Sequence, residues 1–326
     1  MVSCTISVII PAYNSAVTLP RAVESALRQQ ITDIELIIVN DGSRDRTAEV
    51  AGQLAAADQR VRVLSLPQNL GKPAAMNRGV AEARGDWVAV LDADDWYAPN
   101  RLSALLAAAE REQVDLVADN QFLYDDGADC VVRTAFPQTD GDRRLDKRLF
   151  AAGSNPYADF DFGMLKPMLR TDFIRRTGIA YREAAKLSED FLYMVEFLAA
   201  GGRAFLVAEP CYYWRQAFGS ISRRWTETGE GSWRYNFLSA AAVNADLLRT
   251  MRMRDEPELS RILERRMRAF LRLHLLQEIS RQRAGGAAPV HLAREVLAHP
   301  SIWTLVAQRC VRRVRRYFAG SEFQRA

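Results

Sequence analysis

The sequence is poor in histidine, with three residues among 326, and all three follow residue 270. They are His274, His291 and His299. Histidine is the usual side chain for proton transfer near neutral pH, because its unperturbed pKa is about 6.5. An acid–base site in the first 270 residues must therefore use a carboxylate.

Cysteine is scarce as well, with four residues at positions 4, 130, 211 and 310. Their spacing fits neither a zinc site nor a CxxC redox motif, which favours a reduced, cytosolic chain. No apolar run reaches the roughly 18 to 20 residues that span a bilayer, and the N-terminus lacks the charged segment of a signal peptide. We therefore expect a cytoplasmic protein, either soluble or attached peripherally to the inner face of the cell membrane.

Two glycine-rich phosphate-binding motifs are absent. No GxGxxG follows any predicted strand, which disfavours a dinucleotide-dependent dehydrogenase. NLGKPA at residues 69–74 lacks the GxxxxGK[ST] spacing of a P-loop. PAYNSAV at residues 11–17 is not the glycine-rich loop expected of a nucleotidyltransferase.

The formal net charge of +4 is unevenly distributed. Residues 252–326 contain 16 Arg, no Lys and seven acidic residues, a charge of +9, which leaves residues 1–251 at −5. Within residues 301–326 the basic, amphipathic pattern and the aromatic residues suit an anionic membrane surface. A solvated helix face is the alternative. Nucleic acid is not expected as a partner, because the basic segment lies apart from the aromatic residues of the predicted sheet.

Apolar, β-branched runs alternate with helical patterns in the first 112 residues. We predict strands at residues 6–10, 35–39, 61–66 and 87–91, and helices at residues 19–29, 47–57, 73–84 and 100–112. This alternation indicates an α/β fold with right-handed βαβ units and a mostly parallel, Rossmann-like sheet flanked by helices. Polar clusters follow three of the strands, where such sheets bind ligands: residues 13–14, 40–43 and 92–95.

The remainder of the chain shows a looser pattern. It predicts strands at residues 116–118, 204–208 and 211–214, a polar loop region at residues 125–148, and helices at residues 162–176, 188–200, 233–251 and 258–283. In the last helix we expect one apolar face, made by Leu259, Ile262, Leu263, Met267, Phe270, Leu271 and His274.

Four segments stand in a specific order: SVIIPAYN from residue 7, NDGSRDRT from residue 40, NLGKPAAMNRG from residue 69 and LDADD from residue 91. Together they resemble family 2 glycosyltransferases of the GT-A fold. ADNQF, FGMLKP and RQAFGSISR, which start at residues 118, 162 and 215, resemble bacterial exopolysaccharide transferases of the succinoglycan type. We expect a catalytic domain at residues 1–225, with a nucleotide-sugar half (1–115) and an acceptor half (116–225). A helical, basic C-terminal region follows at residues 226–326.

The three carboxylates of LDADD repel one another unless a cation is present, and Mn²⁺ or Mg²⁺ prefers such oxygen ligands. The resemblance implies that one Asp of this motif contacts the ribose and that the last one binds the metal. We predict metal binding by Asp95, with Asp94 as the second candidate, and a ribose contact by Asp92 or Asp94. An acidic turn that caps the next helix is the alternative.

The resemblance also assigns residues to the nucleotide. Asp41 would accept a hydrogen bond from the uracil N3–H, Tyr13 would cover the base and Pro11 would shape the rim. An Asx turn at Asp41 and Gly42 is the structural alternative.

Further cations and amides lie where the diphosphate is expected. Either Lys72 or Arg78 is expected to contact a phosphate, and Asn77 lies beside them. The alternative is that these two cations are ordinary surface charges. Arg215 resembles the cation of a segment that closes over the nucleotide, together with Ser220 and Ser222.

Asp190 is the predicted catalytic base, because the resemblance implies that this Asp removes the proton of the acceptor hydroxyl. Glu189 would orient or tune it. The alternative is that Ser188, Glu189 and Asp190 merely start a helix. Lys166 faces the acceptor or is surface charge.

These features predict an inverting glycosyltransferase that moves a hexose from a UDP-sugar, with UDP-glucose as the default donor. The acceptor would be a saccharide or a lipid-linked oligosaccharide in exopolysaccharide or cell-surface polysaccharide biosynthesis. Arg224 and Trp225 lack the Gln of a QxxRW motif, because position 221 is Ile, and we therefore expect a non-processive enzyme. A nucleotidyltransferase and a non-catalytic nucleotide-sugar-binding module are the alternatives.

Overall fold

The computed structural model of the chain describes residues 5–155, 160–216 and 236–284, together with residues 297, 298 and 303. Its strands are β1 (Ile6–Ala12), β2 (Ile34–Asn40), β3 (Val61–Ser65), β4 (Trp87–Val90), β5 (Trp96–Tyr97), β6 (Leu116–Asp125), β7 (Cys130–Thr134), β8 (Arg143–Arg144), β9 (Met168–Arg170) and β10 (Ala204–Gln216). Its α-helices are α1 (Leu19–Leu27), α2 (Thr47–Ala57), α3 (Lys72–Glu82), α4 (Arg101–Glu112), α5 (Lys147–Gly153), α6 (Thr171–Thr177), α7 (Glu189–Ala199), α8 (Phe237–Met253) and α9 (Pro257–Ala284).

The strands form one sheet in the order β3-β2-β1-β4-β9-β6-β10-β5, with β7 beside β6 and β8 beside β10. The β1–β2, β2–β3, β1–β4 and β6–β10 pairs are parallel. Strand β9 is antiparallel to both of its neighbours, β4 and β6. The predicted α/β fold with a mostly parallel, helix-flanked sheet is therefore confirmed.

Both faces of β1 are buried, because helices cover each side of the sheet. Val8 and Ile10 pack into the core that includes α1 and α4, whereas Ile9 packs into the core that includes α3. A methyl group on Gly79 would come within 2.4 Å of Ile9 Cγ2, so a glycine lets α3 approach the sheet closely. The apolar, β-branched run at residues 6–10, in which Ser7 is the polar residue, predicted a buried strand here.

One predicted helix is wrong. Residues 162–176 form a 3₁₀ turn at Phe162–Met164, the strand β9 and then the helix α6. Pro167 explains the break, because it lacks an N–H group and disfavours a helical conformation at the preceding residue. Met168 then pairs with Ala89 of β4 and Val117 of β6, so tertiary hydrogen bonding determines the strand.

Two smaller differences concern the second half of the sheet. The region at residues 125–148, predicted as loops, also contains β7, β8 and the start of α5. The two strands predicted at residues 204–208 and 211–214 are one strand, β10, whose register with β6 shifts around Pro210. Cys130 and Cys211 are free thiols.

Helix α9 packs against α8 and α5. The predicted apolar face is rotated from the true one, because Leu271 is 44% exposed whereas Arg266 is only 5% exposed. Leu259, Leu263 and Phe270 are buried as expected. No helix among the described residues is long and apolar enough to cross a membrane.

Candidate functional site

The polar segments that follow β1 and β2 contact each other at the carboxyl edge of the sheet. Asn14 donates its backbone N–H to Ser43 Oγ at 3.1 Å, and its side-chain oxygen accepts from the Arg44 N–H at 2.8 Å. Asn14 has a left-handed backbone conformation, with φ of 51°, which Asn tolerates better than most residues. These contacts fix the turn that bears the predicted base-binding residues.

Asp41 is buried, and its two carboxylate oxygens accept hydrogen bonds from the N–H groups of Leu70 and Gly71, each at 2.8 Å. It thereby fixes the loop that leads from β3 into α3. Tyr13 is 40% exposed and Pro11 is half-buried, so both lie at the surface of the same edge. The uracil contact of Asp41 stays a prediction. A base that bound to this carboxylate would lie beside the N–H groups of Leu70 and Gly71.

Two lysines connect Asp92 with Asp190. Lys72 Nζ lies 2.8 Å from Asp92 Oδ1 and 3.1 Å from Asp190 Oδ2. Lys166 Nζ lies 2.9 Å from Asp92 Oδ2 and 2.8 Å from the same Oδ2 of Asp190. Residues separated by up to 118 positions in sequence therefore meet in one cluster of alternating charge.

Burial and charge act in opposite directions on this cluster. Burial disfavours the ionised form of Asp92, but the ammonium groups of Lys166 and Lys72 outweigh it and hold the pKa of this carboxyl below its ordinary value. Burial likewise opposes the charge of Lys72, and the surrounding carboxylates raise its pKa well above the usual value. Burial, followed by the charge of Asp190, raises the pKa of Glu189, whose carboxylate is 3.9 Å from Lys72.

The backbone of Lys166 is anchored by a fully buried ion pair. Arg101 donates to the Lys166 carbonyl oxygen and pairs with Asp119 at 2.7 Å, and the two side chains are 0% and 1% exposed. The guanidinium also lies over the rings of Tyr97 and Tyr212, 4.3 Å and 5.1 Å from their centroids. The Lys166 side chain is itself only 9% exposed, so it is not plain surface charge.

Asp95 is held on both oxygens. It accepts a hydrogen bond from the Tyr212 hydroxyl at 2.7 Å and another from the Arg215 N–H at 2.8 Å. Burial, together with the charges of Asp94 and Asp92, raises its pKa well above the ordinary value. Asp94 is exposed beside it, and no ion pair joins Asp94 to another described residue.

The carboxylates of residues 92–95 fit a divalent ion that also binds phosphate. Among the described residues there is no ready-made group of three metal ligands. Mg²⁺ and Mn²⁺, however, bind through one or two carboxylates plus phosphate oxygens, and Asp94 and Asp95 can supply two. Burial, followed by the charges of Asp94 and Asp92, raises the pKa of Asp95, and a cation bound there would favour its ionised form.

Other predicted site residues contact protein groups. The Arg215 guanidinium makes a bidentate ion pair with Asp126, at 2.6 Å and 2.5 Å. Asn77 uses its side-chain amide to bind both backbone groups of Tyr181, at 2.9 Å and 2.8 Å, and so ties α3 to the segment before α7. Arg78 is more than half exposed and pairs with Glu82 at 3.0 Å. Their predicted contacts with a nucleotide sugar remain predictions.

Several predictions lie outside the described residues. They concern Ser220 and Ser222, the segment at residues 223–225 and, apart from Trp303, the basic segment at residues 301–326.

Sequence reasoning missed three residues of this site: Arg101, Asp119 and Tyr212. Asp119 lies within ADNQF, a segment that carries the resemblance, and Tyr212 lies three residues before another such segment, RQAFGSISR. Arg101 lies in the first turn of the helix predicted at residues 100–112, where an exposed cation is the usual expectation. Its burial results from the packing of α4 against β6 and β10, which no local sequence pattern indicates.

The chain resembles known proteins in both sequence and fold. The family model described as glycosyl transferase family 2 matches residues 7–166. That part of the chain belongs to glycosyl transferase family 2, which confirms the motif-based resemblance and sets aside a nucleotidyltransferase. The fold resembles the crystal structure of S. aureus TarS 1–349 in complex with UDP-GlcNAc, with a TM-score of 0.60, 19% identity, and coverage of 83% of this chain and 72% of that one.

Among curated proteins, the succinoglycan biosynthesis protein ExoO of Rhizobium meliloti (strain 1021) is 32% identical over 67% of this chain and 62% of its own length. ExoU of the same strain is 33% identical over 64% of this chain and 60% of its own length. The narrower resemblance to succinoglycan-type proteins is therefore confirmed. The chain spans about three fifths of the length of these relatives.

Proposed function

We propose that the chain is an inverting glycosyltransferase that moves a hexose from a UDP-sugar to a saccharide or lipid-linked oligosaccharide acceptor. The proposed role is in exopolysaccharide assembly, because the names of ExoO and ExoU assign them to succinoglycan biosynthesis. A UDP-linked donor is supported by the fold shared with TarS, whose crystal structure is in complex with UDP-GlcNAc. UDP-glucose is the proposed donor.

The observation that carries this proposal is the asymmetry of the Asp190 carboxylate. Its Oδ2 atom contacts both lysines, whereas its Oδ1 atom is buried and has no hydrogen-bond donor among the residues that the structure describes. An oxygen with free lone pairs, held in place through its neighbour, is the arrangement required to accept a proton from a bound hydroxyl.

In the proposed reaction, the acceptor hydroxyl loses its proton to Asp190 while its oxygen attacks the anomeric carbon. The bond from that carbon to the diphosphate oxygen breaks, the electron pair stays with the diphosphate, and UDP leaves. Attack opposite the leaving group inverts the configuration at the anomeric carbon. Lys72 and Lys166 lie between Asp92 and Asp190, where their positive charge can stabilise the anion that develops.

Asp95 and Asp94 are proposed to hold Mn²⁺ or Mg²⁺ together with the diphosphate. The ion would offset the negative charge of the leaving group. On the protein side, the Tyr212 hydroxyl and the Arg215 N–H orient Asp95 for this task. Arg215 itself pairs with Asp126, so a closing contact with the diphosphate would require it to exchange partners.

Other parts of the proposal rest on sequence alone. We propose single addition rather than polymerisation, because Ile221 replaces the Gln of the processive motif. We also propose a catalytic domain that ends near residue 225, and a cytoplasmic location with contact to an anionic membrane through residues 301–326.

A donor screen tests the function. The purified chain is incubated with Mn²⁺, extracted lipid acceptor, and UDP-glucose, UDP-galactose, UDP-glucuronic acid or UDP-GlcNAc, and UDP release is measured. We expect turnover with at least one donor and none without metal. No turnover of any donor would contradict the proposal.

Asp190→Asn tests the mechanism. We expect UDP-sugar binding to persist while transfer falls about 10²- to 10⁴-fold, the usual contribution of a general base. Asp172→Asn is the matched control, because Asp172 is 70% exposed and, within the described part of the chain, its ion pair is with Arg176 on its own helix. Near-normal transfer by Asp190→Asn would remove the base assignment.

A further inference from the structure

Arg266 is an arginine buried in the C-terminal helix α9. Its side chain is only 5% exposed, although its neighbours Arg265 and Arg268 lie at or near the surface. Burying a guanidinium is costly unless it is paired and hydrogen-bonded, so its contacts must compensate for the lost hydration. Those contacts are made with two segments outside α9.

The first segment precedes Lys166. Arg266 makes an ion pair with Asp161, whose side chain is 6% exposed. Asp161 Oδ1 also accepts the Gly163 N–H at 2.7 Å, which starts the 3₁₀ turn that leads to Lys166. Arg266 therefore holds the chain segment that precedes Lys166, one of the two lysines that contact Asp190.

The second segment carries Asp190 itself. The Arg266 Nη2 group donates to Ser188 Oγ at 3.1 Å, and its guanidinium lies 3.8 Å from the centroid of the Phe191 ring. Both contacts flank the Glu189–Asp190 pair, one on each side. The guanidinium thus contacts the residues immediately around the proposed base without touching the carboxylate.

Ser188 has an unusual backbone conformation for this place. It precedes α7 with φ of +66°, in the left-handed region, and its side chain does not cap the helix. A non-glycine residue keeps such a conformation only when surrounding contacts hold it. The bond from Arg266 to Ser188 Oγ is one such contact, and it lies at the residue that precedes α7.

We propose that Arg266 is a positioning residue, which holds Asp190 against Lys166 by joining the two segments that carry them. It follows that α9 is part of the catalytic unit rather than an appended helix. This inference rests on the proposed function, in which Asp190 is the base. It concerns a residue that no sequence motif of the site contains.

The kinetic test compares Arg266→Leu and Ser188→Ala with Arg268→Leu. Arg268 is the matched control, because it is 63% exposed and pairs with Glu264 one turn away on the same helix. We expect kcat to fall about 10- to 100-fold in the two test variants, with KM for the UDP-sugar and the Kd of UDP changed less than twofold. Arg266→Lys should recover part of kcat, because its single ammonium group keeps a charge beside Asp161 but lacks the second nitrogen that donates to Ser188.

Ser188→Ala separates positioning from folding, because it leaves the Asp161 ion pair intact. Wild-type kcat in both Ser188→Ala and folded Arg266→Leu would overturn the proposal. Equal losses in kcat and UDP affinity would also overturn it, because they would indicate general disruption of the site.

Amide hydrogen exchange provides a readout that does not depend on turnover. We expect faster exchange at residues 189–192 in Arg266→Leu and Ser188→Ala than in wild type and Arg268→Leu. Unchanged exchange would overturn the positioning role even if the enzyme is active. A wild-type chain that transfers no sugar would instead contradict the proposed function, while the exchange experiment would still decide whether Arg266 orders this segment.

Discussion

Lys166 Nζ lies 2.8 Å from Oδ2 of Asp190, the carboxylate that we propose as the base. The same ammonium group is 2.9 Å from Asp92, at the end of β4. One buried cation therefore joins the carboxylate that follows β4 to the carboxylate at the start of α7. Because Lys166 Nζ engages only Oδ2, it orients Asp190 while leaving Oδ1 available.

Lys166→Met should greatly reduce transfer without preventing donor binding. The substitution keeps an unbranched side chain but removes the charge that orients Asp190 and faces the developing anion. We expect kcat to fall about 10²-fold, as observed when one preorganised electrostatic group is removed from an active site. UDP release and UDP-sugar titration provide the two measurements.

Lys147→Met is the control for this experiment, because Lys147 in α5 pairs with Glu256, which precedes α9, and not with Asp92 or Asp190. It should retain kcat. If Lys166→Met also retains wild-type kcat, the cluster is structural and the mechanism needs another group beside Asp190.

Tyr212→Phe should weaken metal binding. The hydroxyl of Tyr212 donates to Asp95 at 2.7 Å and favours its ionised form, whereas burial and nearby charge favour protonation. Without the hydroxyl, a proton competes better with the metal, so we expect the Kd of Mn²⁺ in the presence of UDP to rise about tenfold. Electron paramagnetic resonance of free Mn²⁺ measures this directly.

Tyr213→Phe is the matched control, because Tyr213 stacks on Trp96 at 5.0 Å and does not contact Asp95. Its Mn²⁺ affinity should match wild type. Equal affinities in the two variants would argue against Asp95 as a metal ligand.

The N-terminal half of the sheet was predictable because its signals are local. The β-branched runs of β1, β2 and β4 are long enough to show two-sided burial, and the polar segments that follow them indicate the ligand-binding edge. The three-residue strand β9 was not predictable, because it is too short to show a period and depends on pairing with β4 and β6.

The sequence motifs identified several candidate residues of the site, but they did not indicate the contacts between them. The motif resemblance pointed to Asp92 and Asp190 without indicating that two lysines join them. Lys72 and Lys166 are separated from Asp190 by 118 and 24 positions, so no local pattern records these ion pairs. The burial of Arg266 was not predictable either, because an arginine within a helical pattern is usually exposed.

Arg101→Met should destabilise the protein strongly. It leaves the carboxylate of Asp119 buried without a partner, and breaking a buried pair in this way costs about 3–5 kcal/mol. Urea unfolding should show a lower midpoint with an unchanged m value. Arg101→Met combined with Asp119→Leu should recover part of the loss, because no buried charge remains.

Arg176→Met is the reference for this comparison. Arg176 is 61% exposed and pairs with Asp172 one turn away, so we expect a change within about 0.5 kcal/mol. If Arg101→Met matches this small effect, the Arg101–Asp119 pair does not contribute to stability in the way its burial indicates.

Glu189→Gln should stabilise the protein, and the gain should depend on pH. Burial and the charge of Asp190 raise the pKa of Glu189 in the folded protein above its value in the unfolded chain. Ionisation of Glu189 therefore destabilises the folded state. This destabilisation begins as pH rises above the pKa of Glu in the unfolded chain, about 4.3, and it reaches its full size above the pKa in the folded protein. A neutral Gln avoids this cost, so the Tm difference between Glu189→Gln and wild type should grow from pH 4.5 to pH 8.

Glu110→Gln is the control, because it replaces an exposed side chain on α4, and its Tm difference from wild type should show no such trend. A Tm difference that is constant or shrinks with rising pH would mean that Lys72, at 3.9 Å, compensates for the burial of Glu189.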